Sequence, residues 1–206
     1  MSELFSIQLQ NRQQQGRDGV WLDLPTTTEQ VQAALQQIGI SSDNPQGLFI
    51  SGYFAEEEKR FATPYNMVLA SNVDELNFLA SRLETLSTGE RAELNAALQA
   101  PQSELFSIGR ITDFPENVDY YVHLPEVHGP AQLGDYYLNR SGMVDMPEEW
   151  KGGIDTAQFG RYVAQQEQGV FTEYGYLVKS GDEWQKVHEG QPVPEEYRVL
   201  SFPSPE

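Results

Sequence analysis

The side chains able to do chemistry in this chain are mostly carboxylates, and their spacing limits what they can do. Asp113, Glu116 and Asp119 recur every third residue, and Glu126, Asp135, Asp145, Glu148 and Glu149 follow. Between Arg110 and Lys151 the only Lys or Arg is Arg140. Carboxylates without counter-charges repel one another and destabilise the compact state, so a fold that tolerates them is a candidate for using their field. Glu56-Glu57-Glu58, by contrast, runs straight into Lys59 and Arg60 and reads as a solvated, locally neutralised loop. It lacks the alternating oxygens and central glycine turn of a calcium loop. His123 and His128 stand five apart across Leu-Pro-Glu-Val, a spacing that fits no helical ligand pair, and read as a strand-end and loop pair. No phosphate-binding glycine loop, H-E-x-x-H or G-x-S-x-G is present, and no His is framed for a triad. No catalytic residue, metal ligand or cofactor is therefore expected.

Composition narrows the choice further. The 206 residues carry 31 Asp and Glu against 13 Lys and Arg, a net charge of −18. By quarters the charge is −3 (1–50), −4 (51–100), −7 (101–150) and −4 (151–206), so acidity runs the whole length and peaks in the third quarter. Clustered cations to displace counterions from a phosphate backbone are missing, which excludes direct nucleic-acid binding and disfavours anionic membrane surfaces. With 39% hydrophobic residues, 10 Tyr, 10 Phe and 3 Trp, the chain can bury a core and is no disordered acidic tail. Zero Cys removes disulfides, thiolate metal sites and Cys nucleophiles. No apolar run nears the roughly 20 residues of a membrane span, and no signal peptide is visible, so a soluble cytoplasmic protein is expected.

The elements that must position these carboxylates read as α+β. Phe5, Ile7 and Leu9 alternate with polar residues, as do Val20, Leu22 and Leu24, giving two strands joined by a turn in Gly16–Gly19. Thr26 with Glu29 has capping-box spacing before a helical face of Val31, Ala34, Leu35 and Ile38, and Gly47–Phe54 reads as a third strand. From Pro64 to Ala100 the pattern is a helical hairpin, capped at Asn72/Glu75 and Ser87/Glu90 and stopped by Pro101. Beyond it, Ser103–Gly109, Leu133–Asn139 and Asp155–Gln166 read as helices, and Val118–Leu124 and Gly169–Val178 as strands. A weak strand around Trp184–His188 and a Pro-punctuated tail complete the 179–206 segment. Three small domains follow: an N-terminal α+β domain (1–63), a helical domain (64–101) and a C-terminal α+β domain with the acidic surface and tail (102–206). The tyrosine pairs Tyr120-Tyr121, Tyr136-Tyr137 and Tyr174/Tyr176 read as one ring inward, one outward. The hexapeptide SELFSI occurs at Ser2–Ile7 and at Ser103–Ile108, with no period to support a repeat.

Several segments carry a family resemblance. Leu133–Met146 (LGDYYLNRSGMVDM) with Pro147-Glu148-Glu149 resembles the signature of the ArdA antirestriction proteins. Ile154-Asp155 through Phe159-Gly160-Arg161, and Phe171-Thr172-Glu173-Tyr174-Gly175-Tyr176, resemble further segments of that family. So do Asp74–Ala80 (DELNFLA), Glu116–Tyr120 (ENVDY) and Pro194–Arg198 (PEEYR), all in collinear order over nearly the whole chain. The resemblance implies an elongated, curved chain of three small domains that pairs into a homodimer and is encoded on a mobile element. It implies a protein that is not an enzyme and that imitates B-DNA to block the DNA-binding cleft of type I restriction–modification enzymes. The partner is then the methyltransferase–specificity core.

The charge is of the right size for that role: at one charge per about 1.7 Å of B-DNA axis, −18 corresponds to roughly 30 Å of duplex. On this reading Asp113, Glu116, Asp119, Glu126, Asp135, Asp145, Glu148 and Glu149 are the phosphate stand-ins. Two other readings stay open: an acidic module binding some other basic DNA-binding protein, and a hydrolase using paired carboxylates.

Overall fold

The computed structural model describes residues 4–14, 18–55, 65–101 and 103–205. In chain order the elements are β1 (Phe5–Asn11), β2 (Val20–Leu24), α1 (Thr28–Gln37), β3 (Leu48–Phe54), α2 (Tyr65–Leu69), α3 (Val73–Leu83), α4 (Thr88–Gln99) and α5 (Ile108–Thr112). They continue as β4 (Tyr121–Leu124), α6 (Pro130–Asp135), α7 (Glu148–Lys151), α8 (Thr156–Glu167), β5 (Val170–Thr172) and β6 (Gly175–Lys179). A π-helical turn, Tyr136–Arg140, prolongs α6. The fold is α+β, with two antiparallel three-stranded sheets. The chain forms two compact units, one from 1–86, 105–115 and 186–206, the other from 87–104 and 116–185.

In the first unit the strand order is β2-β1-β3. Strict alternation buries Phe5, Ile7, Leu9 and Asn11 of β1 and leaves Ser6, Gln8 and Gln10 on the other face. Val31, Ala34 and Leu35 bury the inner side of α1. Its capping box is Thr27 with Gln30, one residue later than Thr26 and Glu29. Thr26 is instead buried, and its N–H donates to Asn77 Oδ1 at 2.7 Å. A buried backbone donor needs a partner, and that need overrides the local cap pattern. The Asn72/Glu75 box of α3 forms as the spacing predicts.

The last residues return to this unit, held by polar side chains rather than by a sheet. Asp74 Oδ1 accepts from the N–H groups of Val199 and Leu200, both at 2.7 Å, and Asn77 Nδ2 donates to the Tyr197 carbonyl at 3.0 Å. Trp184–His188 contains no strand, a correction to the sequence reading. Side chains take up its backbone groups instead: Asn117 bonds Gln185, and Asp113 accepts from the N–H groups of Val187 and His188.

In the second unit α4 carries the expected Ser87/Glu90 capping box and buries Leu94, Ala96 and Ala97. The sheet order is β4-β6-β5. Gly169–Val178 is two strands, not one: Thr172 Oγ1 donates to the Gly175 carbonyl at 2.8 Å, and Gly175 turns the chain at φ +117°. That φ is open to glycine at no steric cost. Only Tyr121–Leu124 of the expected Val118–Leu124 strand is extended; Val118–Tyr120 is a 3-10 turn. Ser103–Gly109 is likewise not a helix, since α5 starts only at Ile108 behind its cap Ser107. The Glu56–Arg60 loop, the first half of the Gly16–Gly19 turn and the start of the first SELFSI copy lie outside the described residues.

Candidate functional site

The acidic surface is built on the second unit, where two helices cross through glycines. A Cβ on Gly134 of α6 would stand 1.9 Å from the Thr156 carbonyl oxygen, and one on Gly160 of α8 would stand 1.8 Å from that of Pro130. Both helices therefore need a bare backbone at the crossing. Asp155 caps α8 by accepting from the Gln158 N–H at 2.9 Å. Beneath lie Leu133, Val127 and Tyr176 in one apolar cluster. Glu167, on α8, accepts from the hydroxyls of Tyr137 and Tyr176, the latter at 3.0 Å. Burial, then the negative Glu167, pushes both phenols well above their usual range, so they stay protonated donors.

This frame holds a surface of low cation content. The unit has fifteen Asp and Glu against five Lys and Arg, a net of −10. Among the described residues Arg140 pairs with Asp135 at 3.3 Å, Lys151 with Glu148 at 2.6 Å and Lys179 with Glu104 at 2.7 Å. Asp119, Glu126, Asp145 and Glu149 are exposed and make no ion pair among the described residues. Glu116 is half-buried.

Asp113 differs from the other seven carboxylates. It is fully buried in the first unit, where Oδ1 accepts from the His188 N–H at 2.6 Å. Its Oδ2 accepts from Val187 at 3.2 Å and Glu189 at 3.1 Å. An enclosed carboxylate with three backbone donors is a structural tie and not a surface anion, which corrects its place among the phosphate stand-ins. The partner amides lie about 75 residues downstream, and no local pattern reveals such a pairing.

The run-based reading also missed acids. Asp182 and Glu183 are exposed and, with Glu116 and Asp119, rim a cleft of about 410 Å³ in the same unit. Asn117 and Gln185 hold its floor through reciprocal bonds of 2.9 and 2.7 Å. Lys179 and Lys186 flank Asp182-Glu183 in sequence and mask them in any count along the chain. The field registers on Glu93 of α4: burial, then the charges of Glu90 and Asp119, push its carboxyl up to about 8. It is protonated at neutral pH.

His123 is half-buried with Nε2 2.7 Å from the Tyr174 carbonyl, and burial lowers its pKa. His128 is exposed, and its backbone N–H donates to Gln132. Among the described residues no helix is long and apolar enough to cross a membrane.

The model of the ArdA antirestriction protein family matches residues 15–178, which takes in α1 to α8, the π-helical turn, β2 to β5 and all but the last residue of β6, and leaves out β1. No curated protein matches the chain. The chain belongs to the ArdA family, and membership implies an antirestriction function directed at restriction–modification enzymes.

Proposed function

We propose that this member of the ArdA family blocks type I restriction–modification enzymes by presenting carboxylates in place of DNA phosphates to the DNA-binding cleft of the methyltransferase–specificity core. The observation that carries the proposal is the set Asp119, Glu126, Asp145 and Glu149, exposed and without ion pairs among the described residues, in a unit of net −10. Asp135 and Glu148 belong to the same surface. The Asp135–Arg140 bridge is half-exposed on both sides, a pair of the kind worth about 0–1 kcal/mol, and Glu148 is 82% exposed although its partner Lys151 is largely covered. Glu116 contributes from the cleft it shares with Asp182 and Glu183. Asp113 drops out of the contact set.

A distributed field of this kind recruits its partner quickly and loses affinity steeply with salt. No single carboxylate is essential to it. The division into segments 1–63, 64–101 and 102–206 and a cytoplasmic location, both drawn from the sequence pattern, belong to the same proposal, as do homodimerisation and the mobile-element origin, which the family resemblance implies.

The test is binding to an immobilised type I methyltransferase core across a salt series, with duplex DNA carrying the target site as competitor. The expected result is mutually exclusive binding with an affinity that falls steeply as salt rises. A ternary complex of core, duplex and this protein, or an affinity flat with salt, contradicts the proposal.

A further inference from the structure

The first unit contains a feature that the acidic surface does not explain. An open groove of about 820 Å³ runs between the start of α3, α5 and the returning 188–198 segment. Its volume falls within the usual few hundred to a thousand cubic ångström of ligand sites. Phe78, Ile108, Pro192 and Val193 supply apolar wall, and Phe106 stands at it with 62% of its surface exposed. The Phe106 ring is braced: the Arg110 guanidinium lies 4.6 Å from its centroid, and Arg110 Nε donates to Glu189 Oε1 at 3.2 Å. A braced, exposed aromatic beside a concavity has the character of a binding hot spot.

The charges lining the groove select the occupant. Asp74, Glu75, Glu189 and Arg198 line it; Glu189 is ion-paired with Arg110 at 3.2 Å and Lys186 at 3.5 Å, whereas Asp74 and Glu75 make no ion pair among the described residues. Asp74 Oδ1 accepts from the N–H groups of Val199 and Leu200, and Glu75 Oε2 from that of Asn72. Two carboxylates outside ion pairs against one lining arginine leave the concavity with a small excess of negative charge.

We propose that this groove docks an extended peptide segment of a partner protein, carrying an aromatic or large aliphatic anchor flanked by lysine or arginine. The anchor packs against Phe106 and Phe78, and the flanking cations face Glu75 and Asp74. The contact is made by residues of the first unit and adds apolar burial, which salt does not screen.

The probe is a short fluorescent peptide with a central Phe between Lys-Lys pairs, compared with a Phe→Ser version and a version in which Glu replaces every Lys. Binding is read by anisotropy on the intact protein. Phe106→Ala removes an exposed ring and Ala70→Trp fills the groove from its exposed rim; both lie outside the core. Each is expected to weaken the Phe peptide about tenfold, the scale of one lost anchor. The Ser and Glu peptides are expected to bind far more weakly than the Phe peptide. Joint neutralisation of Asp119, Glu126, Asp145 and Glu149 is expected to leave the ratio of Phe-peptide to Ser-peptide affinity within about threefold of the parent's, because the anchor's share of binding is apolar. Equal binding of the Phe and Ser peptides, or unchanged affinity in both groove variants, overturns the proposal. Conversion of a self-associated species to monomer by Phe106→Ala also overturns it, because the occupant is then a second copy.

Discussion

Replacing Asp113 by Asn separates a carboxylate that holds the fold from those proposed to meet a partner. The buried group accepts three backbone N–H groups, two on Oδ2 and one on Oδ1. An amide keeps one oxygen acceptor and turns the other into a donor facing a donor. Its best arrangement gives the oxygen to Val187 and Glu189 and orphans His188. A buried unsatisfied donor costs about 1–3 kcal/mol, and the surviving bonds lose the charge that makes them worth about 1.5–3 rather than about 1 kcal/mol. Together these give a loss of about 2–4 kcal/mol in urea unfolding, a large part of an ordinary domain's stability. Hydrogen exchange at the amides of 187–189 is expected to accelerate, while inhibition per folded molecule stays at the parent level. Asp119→Asn, at an exposed position, is the matched control, with a stability change within about 0.5 kcal/mol. A stability loss below about 1 kcal/mol for Asp113→Asn refutes the structural tie. A properly folded Asp113→Asn that has lost inhibition returns this residue to the contact set.

Glu93 gives a pH signature of opposite sign to ordinary acid denaturation. Its folded carboxyl titrates near 8 and its unfolded one near 4.5, so the folded state holds the extra proton between those values. Stability therefore falls as pH rises through that window, and Glu93→Gln is expected to remove the fall and gain about 1–2 kcal/mol at pH 9 after discounting for solvent screening; matching pH profiles for parent and variant contradict this. Gly160→Ala drives a methyl into the Pro130 carbonyl and is expected to cost about 3 kcal/mol or more. Gly89→Ala, where the nearest atom to a new Cβ is 4.0 Å away, is expected to gain about 0.5–1 kcal/mol. Thermal unfolding of the two glycine variants decides both signs.

What the sequence made legible, and what it hid, divides along the range of the forces involved. Helix caps at Asn72 and Ser87 and the alternation of β1 are set within a few residues, and both formed as read. The tetrapeptide Leu-Phe-Ser-Ile marks the limit. At 4–7 it enters β1 with Phe5 buried; at 105–108 it leads into α5 with Phe106 largely exposed. Identical local preference is overruled by what each copy packs against. The acidic run was legible as charge, but whether a carboxylate faces solvent, as Asp145 does, or caps distant amides, as Asp113 does, depends on tertiary placement. The hairpin at Thr172–Gly175 was hidden for another reason: strand-forming aromatic and β-branched residues stand on both sides of a short turn marked only by Glu173 and Gly175.

The most direct measurement is inhibition of a type I restriction enzyme by a graded series: the parent, four single neutralisations (Asp119→Asn, Glu126→Gln, Asp145→Asn, Glu149→Gln) and the quadruple variant. The account predicts that each single change weakens inhibition about twofold or less. The quadruple is expected to weaken it by well over tenfold with a shallower salt dependence, at unchanged or raised stability. One single change that abolishes inhibition, or a quadruple variant as potent as the parent, contradicts a distributed imitation of DNA charge.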